Sequence, residues 1–151
     1  MQIAASDIAE AILEITGDAL LSGDFKAFAA VFHVPQVMTT MAGSINMETI
    51  EDMRRAFDDM HLYFKRAGVT DMVRTCVAAE YKSPTLIETT HVSDILHSGK
   101  RLREPYPVFS ILEKINGDWK VTGGEYALES TNGQALALSR ADASCRPQST
   151  Q

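Results

Sequence analysis

Residues 86–128 read LIETTHVSDILHSGKRLREPYPVFSILEKINGDWKVTGGEYAL, and this stretch decides the fold. Apolar and polar side chains alternate through much of it, which is the period of a β-strand with one buried face. Two dipeptides interrupt the pattern, Ser98-Gly99 and Asn116-Gly117, and Asn-Gly is the strongest short hairpin signal. We therefore predict a run of antiparallel strands joined by tight turns: Leu86–His97, Lys100–Ile115 and Trp119–Leu128.

Helical spacing dominates the N-terminal third of the chain. Residues 7–22 predict a helix capped by Asp7, because apolar side chains recur along one face at Ile8, Ile12, Ile15 and Ala19. Gly23 suits the left-handed position that ends a helix, and Asp24 is a good cap for a short second helix that stops before Pro35. Residues 34–46 are predicted to be extended.

A third helix has the strongest pattern in the chain. Its apolar residues are spaced 3-4-3-4-3, with Asn46 as the expected cap and Gly68 as the end: Ile50, Met53, Phe57, Met60, Phe64 and Ala67. Residues 72–81 then begin the strands. Helices followed by a run of strands predict an α+β fold, in which three helices pack on one face of a curved, mostly antiparallel sheet.

Length and composition limit the classes of protein. The 151 residues suffice for one domain, which we place at residues 1–130, followed by a polar tail at 131–151 where Leu136-Ala137-Leu138 could form a short helix. Twenty acidic and 14 basic residues give a formal net charge of −6. This charge argues against a nucleic-acid partner and against binding to an anionic membrane.

The sequence also predicts a cytoplasmic protein. The first residues carry no basic leader, and no apolar run is long enough to span a bilayer. Cys76 and Cys145 are far apart, which favours two free thiols over a disulfide.

Two short segments resemble the NTF2-like superfamily, and within it the SnoaL-like group of ketosteroid isomerases and polyketide cyclases. They are residues 21–28 (LSGDFKAF), at the corner between two helices, and residues 116–121 (NGDWKV), at the last hairpin. The order of elements over residues 7–128 agrees. The resemblance implies a cone-shaped fold with a pocket between the long helix and the concave sheet. Many members dimerise through the other face, and members include isomerases, dehydratases, cyclases, hydrolases and binding modules.

Two-residue turns set the expected strand register. They pair His97 with Lys100 and Ile115 with Asp118, which places His91 opposite Tyr106 and Asp94 opposite Arg103 as an ion pair. Counting by two assigns His91, Tyr106, Ser110, Trp119 and Glu125 to the concave face. The other face has an apolar patch that predicts a homodimer: Phe109, Ile111 and Tyr126.

We expect His91, Tyr106 and Glu125 to form a catalytic group. An imidazole can take or give a proton near neutral pH, a buried tyrosine can donate to a developing oxyanion, and a buried carboxylate can act as a base. The alternative is a structural hydrogen bond between His91 and Tyr106, with Glu125 at the rim.

Further residues are expected to bind the ligand: Tyr63, Met53, Met60, Ser110, Trp119 and Arg74. A buried Arg74 would need a carboxylate partner, and such a pair at the pocket would suit water activation or anion binding, whereas an exposed Arg74 would have no function. Cys76 is expected beside His91 and is interpreted as an inert thiol. The four histidines lack zinc spacing and there is no glycine-rich phosphate loop, so we expect no metal and no cofactor.

The sequence therefore supports two functions. In the first, the protein binds a small, largely apolar carbonyl or hydroxyl compound and catalyses proton transfer, dehydration or hydrolysis. In the second, it is a non-catalytic module that binds a ligand or a protein and dimerises through its sheet.

Overall fold

The computed structural model describes residues 2–41 and 43–127 of the chain. The predicted tail, with its short helix, and Cys145 lie outside the described residues. The described part contains three helices and seven strands: α1 (Ala5–Ser22), α2 (Phe25–Ala30), β1 (Phe32–Thr40), β2 (Gly43–Met47), α3 (Ile50–Ala67), β3 (Asp71–Ser83), β4 (Leu86–His97), β5 (Lys100–Arg101), β6 (Tyr106–Ile115) and β7 (Asp118–Tyr126).

The strands form one sheet in the order β2-β1-β7-β6-β4-β3, with the short β5 paired to β4. All pairings are antiparallel except β1 with β7, which is parallel. The helices cover one face of this sheet, and α1 packs most closely on β3. The predicted α+β class, with three helices on a mostly antiparallel sheet, is confirmed.

The helix ends agree with the sequence at three of five places. Gly23 and Gly68 adopt left-handed conformations, with φ of 83° and 74°, and the Asp24 side chain caps α2. The expected caps Asp7 and Asn46 are wrong. Helix α1 begins at Ala5 without a side-chain cap, and Asn46 lies in β2.

Thr49 caps α3 because it forms a reciprocal pair with Asp52. The Thr49 hydroxyl accepts the Asp52 backbone N–H at 3.2 Å, and the Asp52 carboxylate accepts the N–H groups of Glu48 and Thr49, both at 3.0 Å. Such a capping box satisfies N–H groups that have no partner inside the helix.

One of the four residues expected on the buried stripe of α1 is exposed, and its neighbour in the sequence is buried in its place. Ile15 is 39% exposed, whereas Thr16 is 3% exposed and lies in the apolar face beside Ile12 and Leu20. A hydroxyl group is therefore present in the contact between α1 and the sheet.

The strand registers confirm both predicted turns, but the pairing of residues farther from the turns differs from the prediction. His97 pairs with Lys100 and Leu112 with Val121, as predicted. Residues 102–105 leave the ladder between β5 and β6, so His91 lies opposite Val108 instead of Tyr106. Asp94 accordingly forms its ion pair with Arg101, at 3.1 Å, and not with Arg103.

A β-bulge in β7 reverses the predicted faces of the residues that follow it in this strand. Ile111 pairs with Gly123 and Leu112 with Val121, so Thr122 is the extra residue. The faces of the following residues are exchanged, because side chains alternate with a period of two. Tyr126 therefore lies on the inner face opposite Val108, and Glu125 lies on the outer face opposite Phe109.

We expect the Asp52 cap to be a major stabilising contact. Asp52 is fully buried, accepts two backbone N–H groups and pairs with Arg55 at 2.7 Å. Asp52→Ala should lower the free energy of unfolding by about 2–4 kcal/mol in urea denaturation, because it removes a buried carboxylate that accepts two backbone N–H groups and pairs with Arg55. The matched control Asp58→Ala removes an exposed pair with Arg54 and should cost no more than about 1 kcal/mol. Equal losses in the two variants would contradict this account.

Candidate functional site

A cavity lies between the helices and the concave face of the sheet. Apolar residues from α1, α2 and α3 form the helix side of its wall, including Phe28, Met53, Phe57 and Met60. The centre of a water-sized sphere can reach about 60 Å³ of the interior, which is room for a small organic molecule. Five methionines line the cavity, and their flexible side chains allow it to adapt to a ligand: Met38, Met47, Met53, Met60 and Met72.

Polar side chains interrupt this apolar wall on the sheet side. They come from four adjacent elements and from one position on α1: Arg74 of β3, Thr89, His91 and Ser93 of β4, Tyr106 and Ser110 of β6, Tyr126 of β7, and Thr16 of α1. The strands place them together because β3, β4, β6 and β7 are neighbours in the sheet, and alternate residues of each strand face the helices.

His91 is an uncharged base in this wall. Its side chain is 2% exposed, and its Nε2 has no hydrogen-bond partner in the described part of the chain. Burial lowers the pKa of His91 to about 3, with a further contribution from the positive charge of Arg74. The imidazole is therefore neutral at physiological pH.

Arg74 is the cation of the site. Its Nη1 donates to the Thr16 hydroxyl at 2.6 Å and to the Leu13 carbonyl at 3.2 Å, which joins β3 to α1. Its Nε is buried and has no hydrogen-bond partner, and no carboxylate forms an ion pair with it, among residues 2–41 and 43–127. Burial lowers the pKa of Arg74, although an arginine keeps its charge at neutral pH.

Two tyrosines lie near this cation. Burial raises the pKa of Tyr126 to about 12, although the charge of Arg74 acts in the opposite direction, so its phenol is neutral and can donate a hydrogen bond. Tyr106 is 4% exposed, and the guanidinium carbon of Arg103 lies 4.8 Å from the centre of its ring. The site thus combines one cation, one neutral imidazole and two phenols in an apolar cavity.

The structure separates the expected site residues into two groups. Six of them line the cavity: His91, Tyr106, Arg74, Ser110, Met53 and Met60. The other three do not. Glu125 is exposed on the outer face because of the β7 bulge, so its expected place in the cavity is wrong.

Tyr63 and Trp119 were also misplaced. The Tyr63 ring packs near Phe64, with ring centres 5.7 Å apart, and Trp119 packs edge-on against Tyr81 at 6.0 Å. Neither residue is part of the cavity wall, because Tyr63 is beside the buried stripe of α3 and Trp119 is near the turn between β6 and β7.

Sequence reasoning missed Tyr126 and Thr16 as site residues. The pair Gly123-Gly124 was a usable signal for Tyr126, because glycines inside a strand often mark a bulge. Thr16 follows Ile12 by four residues on α1, so its helical spacing placed it on the buried face.

Cys76 pairs with His91 across β3 and β4, as expected, but it is not part of the cavity wall. Its Sγ is 3.6 Å from the Ala78 carbonyl. Within the described ranges, no group of three histidine, cysteine, aspartate or glutamate side chains could hold a metal ion. No helix in those ranges is both long and apolar enough to cross a membrane.

Comparison with known proteins identifies the fold. No protein-family profile matches the sequence, and no curated protein matches it. Among solved structures, an NTF-2-like protein of unknown function from Shewanella oneidensis MR-1 matches with a TM-score of 0.61 at 14% identity, over 83% of this chain and 100% of the other. A domain of unknown function with a cystatin-like fold from Nostoc punctiforme PCC 73102 matches with a TM-score of 0.67 at 15% identity, over 91% and 85%.

The hexachlorocyclohexane dehydrochlorinase LinA-type3 from Novosphingobium barchaimii LL02 matches with a TM-score of 0.54 at 9% identity, over 80% of this chain and 83% of the other. These likenesses confirm the NTF2-like, cystatin-like fold that the sequence predicted. At such low identity they bear on the fold alone.

The pKa of His91 predicts how stability depends on pH. The folded state binds a proton only near pH 3, whereas the unfolded state binds one near pH 6.5. The stability that comes from keeping His91 neutral in the folded state is therefore complete above pH 6.5. As the pH falls from 6.5 toward 3, the free energy of unfolding decreases by about 1.4 kcal/mol per pH unit. Urea denaturation of the wild type and of His91→Gln, from pH 7.5 to 5, measures this loss. The variant should show a shallower decline, and identical slopes would contradict the assignment.

Proposed function

We propose that the protein binds a small, largely apolar carbonyl or hydroxyl compound in the cavity and that His91 takes a proton from it. One observation carries this proposal, namely that a neutral imidazole with an unpartnered Nε2 is buried in an apolar wall. An unprotonated nitrogen can accept a proton, and an apolar cavity keeps water from competing for it.

The groups near His91 are suited to stabilise the negative charge that forms on the substrate when it loses a proton. Removal of a proton beside a carbonyl places negative charge on the carbonyl oxygen, which a phenol or a cation can stabilise. Tyr106, Tyr126 and Arg74 supply these groups in the same wall. Burial, and to a smaller extent the charge of Arg74, makes His91 a weak base in the empty site. A developing oxyanion near Arg74 would offset the effect of that charge and favour proton transfer to His91.

The fold neighbours support an enzyme only by analogy. One of them is named as a dehydrochlorinase, so a catalyst exists on this fold. We propose that the chain belongs to the SnoaL-like group and acts in the cytoplasm, a location with which the free thiol of Cys76 agrees.

A non-catalytic module is the second candidate, and the outer face of the sheet favours it. This face exposes Val37 and Val73, each 49% exposed, and Phe109 and Ile111 lie between them on the central strand β6. An exposed apolar surface of this kind usually marks an interface. We propose that two copies of the chain associate through it as a homodimer. Tyr126 is not part of that surface, because the β7 bulge directs it inward.

Hydrogen–deuterium exchange tests the proposed proton transfer without knowledge of the substrate. Small cyclic ketones, such as cyclohexanone and cyclopentanone, should first be screened for binding by thermal shift. NMR in D₂O then measures how fast the protein exchanges the hydrogens next to the carbonyl. His91→Gln should slow the catalysed exchange by about 100-fold or more, because the general base is lost. Tyr106→Phe should also slow it, because a donor to the oxyanion is lost.

His33→Gln is the matched control, since His33 is not part of the cavity wall, and it should exchange at the wild-type rate. Ketones that bind without catalysed exchange, or exchange that persists in His91→Gln, would overturn the catalytic role. The binding module would then be the better description.

Sedimentation equilibrium tests the dimer. Phe109→Asp should convert the dimer to a monomer, because it places a charge beside Glu125 on the outer face. Leu62→Asp is the matched control, since Leu62 is 42% exposed on α3, away from the sheet. A monomeric wild type, or dissociation by both variants, would contradict a dimer through the sheet.

A further inference from the structure

We propose that the ligand carries an anionic group, with a carboxylate as the simplest case, and that Arg74 binds it. This inference rests on the proposed function, because it concerns the same cavity. It specifies the class of ligand: a small acid with an apolar body.

The first step of the argument is the charge balance of the cavity. Arg74 is the one cationic side chain in the described wall, and none of the wall residues is an aspartate or a glutamate. His91 and Tyr126 are neutral at physiological pH. A buried charge without an opposite charge is costly, and proteins normally pair it. A ligand anion would supply the missing charge.

The acidic residues nearest in the fold do not supply it. Asp7, Glu10, Glu14 and Asp18 line a shallow groove on the outside of α1 that Arg74 also reaches. All four side chains are exposed, and none forms an ion pair with Arg74. Their charges are solvated by water, so they are weak counterions for the guanidinium.

The second step is the geometry of the guanidinium. Its Nη1 is held by two neutral acceptors, the Leu13 carbonyl and the Thr16 hydroxyl. These bonds fix the orientation of the group and leave its charge unneutralised. The buried Nε has no partner in the described part of the chain. A fixed guanidinium with a free Nε–H can donate a charge-assisted hydrogen bond to a carboxylate oxygen.

The third step is the size and polarity of the rest of the cavity. The interior is small, since the centre of a water-sized sphere can reach only about 60 Å³ of it, and methionine and phenylalanine side chains form much of the wall. These features favour a compact apolar body, such as a six-membered ring, attached to a single charged group.

Arg74 and His91 are also coupled through their charges. The positive charge of Arg74 helps to lower the pKa of His91. An anion bound to Arg74 would oppose that effect, so the pKa of His91 should rise when the ligand binds. A structural role for Arg74 alone would not produce this change.

Matched pairs of probes test the proposal. Benzoate and cyclohexanecarboxylate are the acids, and benzamide and cyclohexanecarboxamide are neutral compounds of the same shape. We expect calorimetric titration at pH 7 to give acids at least tenfold tighter than their amides, which is the usual size of a hydrogen bond to a charged group. Arg74→Met should remove this preference, and Arg74→Lys should keep part of it. Arg101→Met is the control, because Arg101 pairs with Asp94 outside the cavity, and it should bind benzoate like the wild type.

The outcomes separate this inference from the proposed function. Amides that bind as tightly as the acids, or benzoate affinity that Arg74→Met leaves unchanged, would overturn the anion site while the apolar ligand of the proposed function stands. Binding of none of the four probes would overturn both. If Arg74→Met does not fold, the proposal is tested by the ratio of acid to amide affinity in the wild type and by the shift of the His91 pKa on ligand binding. In NMR titrations, that pKa should rise with saturating benzenesulfonate, which stays anionic at low pH, and an unchanged value would count against the proposal.

Discussion

The hydrogen bonds between Arg74 and helix α1 determine the character of the interior. Through them a cation is fixed at the contact between α1 and β3, where the Leu13 carbonyl and Thr16 hydroxyl are its partners. The other ionisable groups of the cavity respond to that charge. It lowers the pKa of His91 and opposes the effect of burial on Tyr126. Without Arg74 the cavity wall would hold an uncharged imidazole and hydroxyl groups, and no charged side chain of the wall would favour a charged ligand over a neutral one.

Two irregularities of the sheet decide which side chains share the cavity with this cation. Residues 102–105 leave the ladder and place Tyr106 opposite Ser93, two residues from its expected partner. The extra residue Thr122 in β7 exchanges Glu125 for Tyr126 on the inner face. A carboxylate beside Arg74 would have neutralised the guanidinium, whereas a phenol does not. The bulge therefore decides the charge of the site as well as its shape.

These irregularities also show how far the sequence could predict the site. The alternation of side chains placed His91, Tyr106 and Ser110 on the inner face, and the two glycine turns gave the pairing of His97 with Lys100 and of Leu112 with Val121. An error of two residues leaves the face unchanged, so Tyr106 remained in the cavity. An error of one residue reverses the face, so Glu125 did not. The caps Gly23, Asp24 and Gly68 could be predicted because each depends on one residue. The cap of α3 depends on a reciprocal pair, Thr49 with Asp52, and the prediction of Asn46 did not account for that pair.

The charge state of the site depends on contacts that no local pattern encodes. Arg74 lies on a strand whose face was not fixed by the turns, and its partners are 58 and 61 residues away in the chain. The interior holds a cation whose neutral partners orient it without neutralising it. It also holds a base, His91, whose pKa is lowered by burial and further by the same cation. An anion beside Arg74 would relieve both conditions at once, since it would neutralise the guanidinium and make His91 more basic. The proposed binding and the proposed proton transfer would therefore be coupled through one electrostatic interaction, and the ligand that best satisfies Arg74 would also be the one that best prepares His91 to accept a proton.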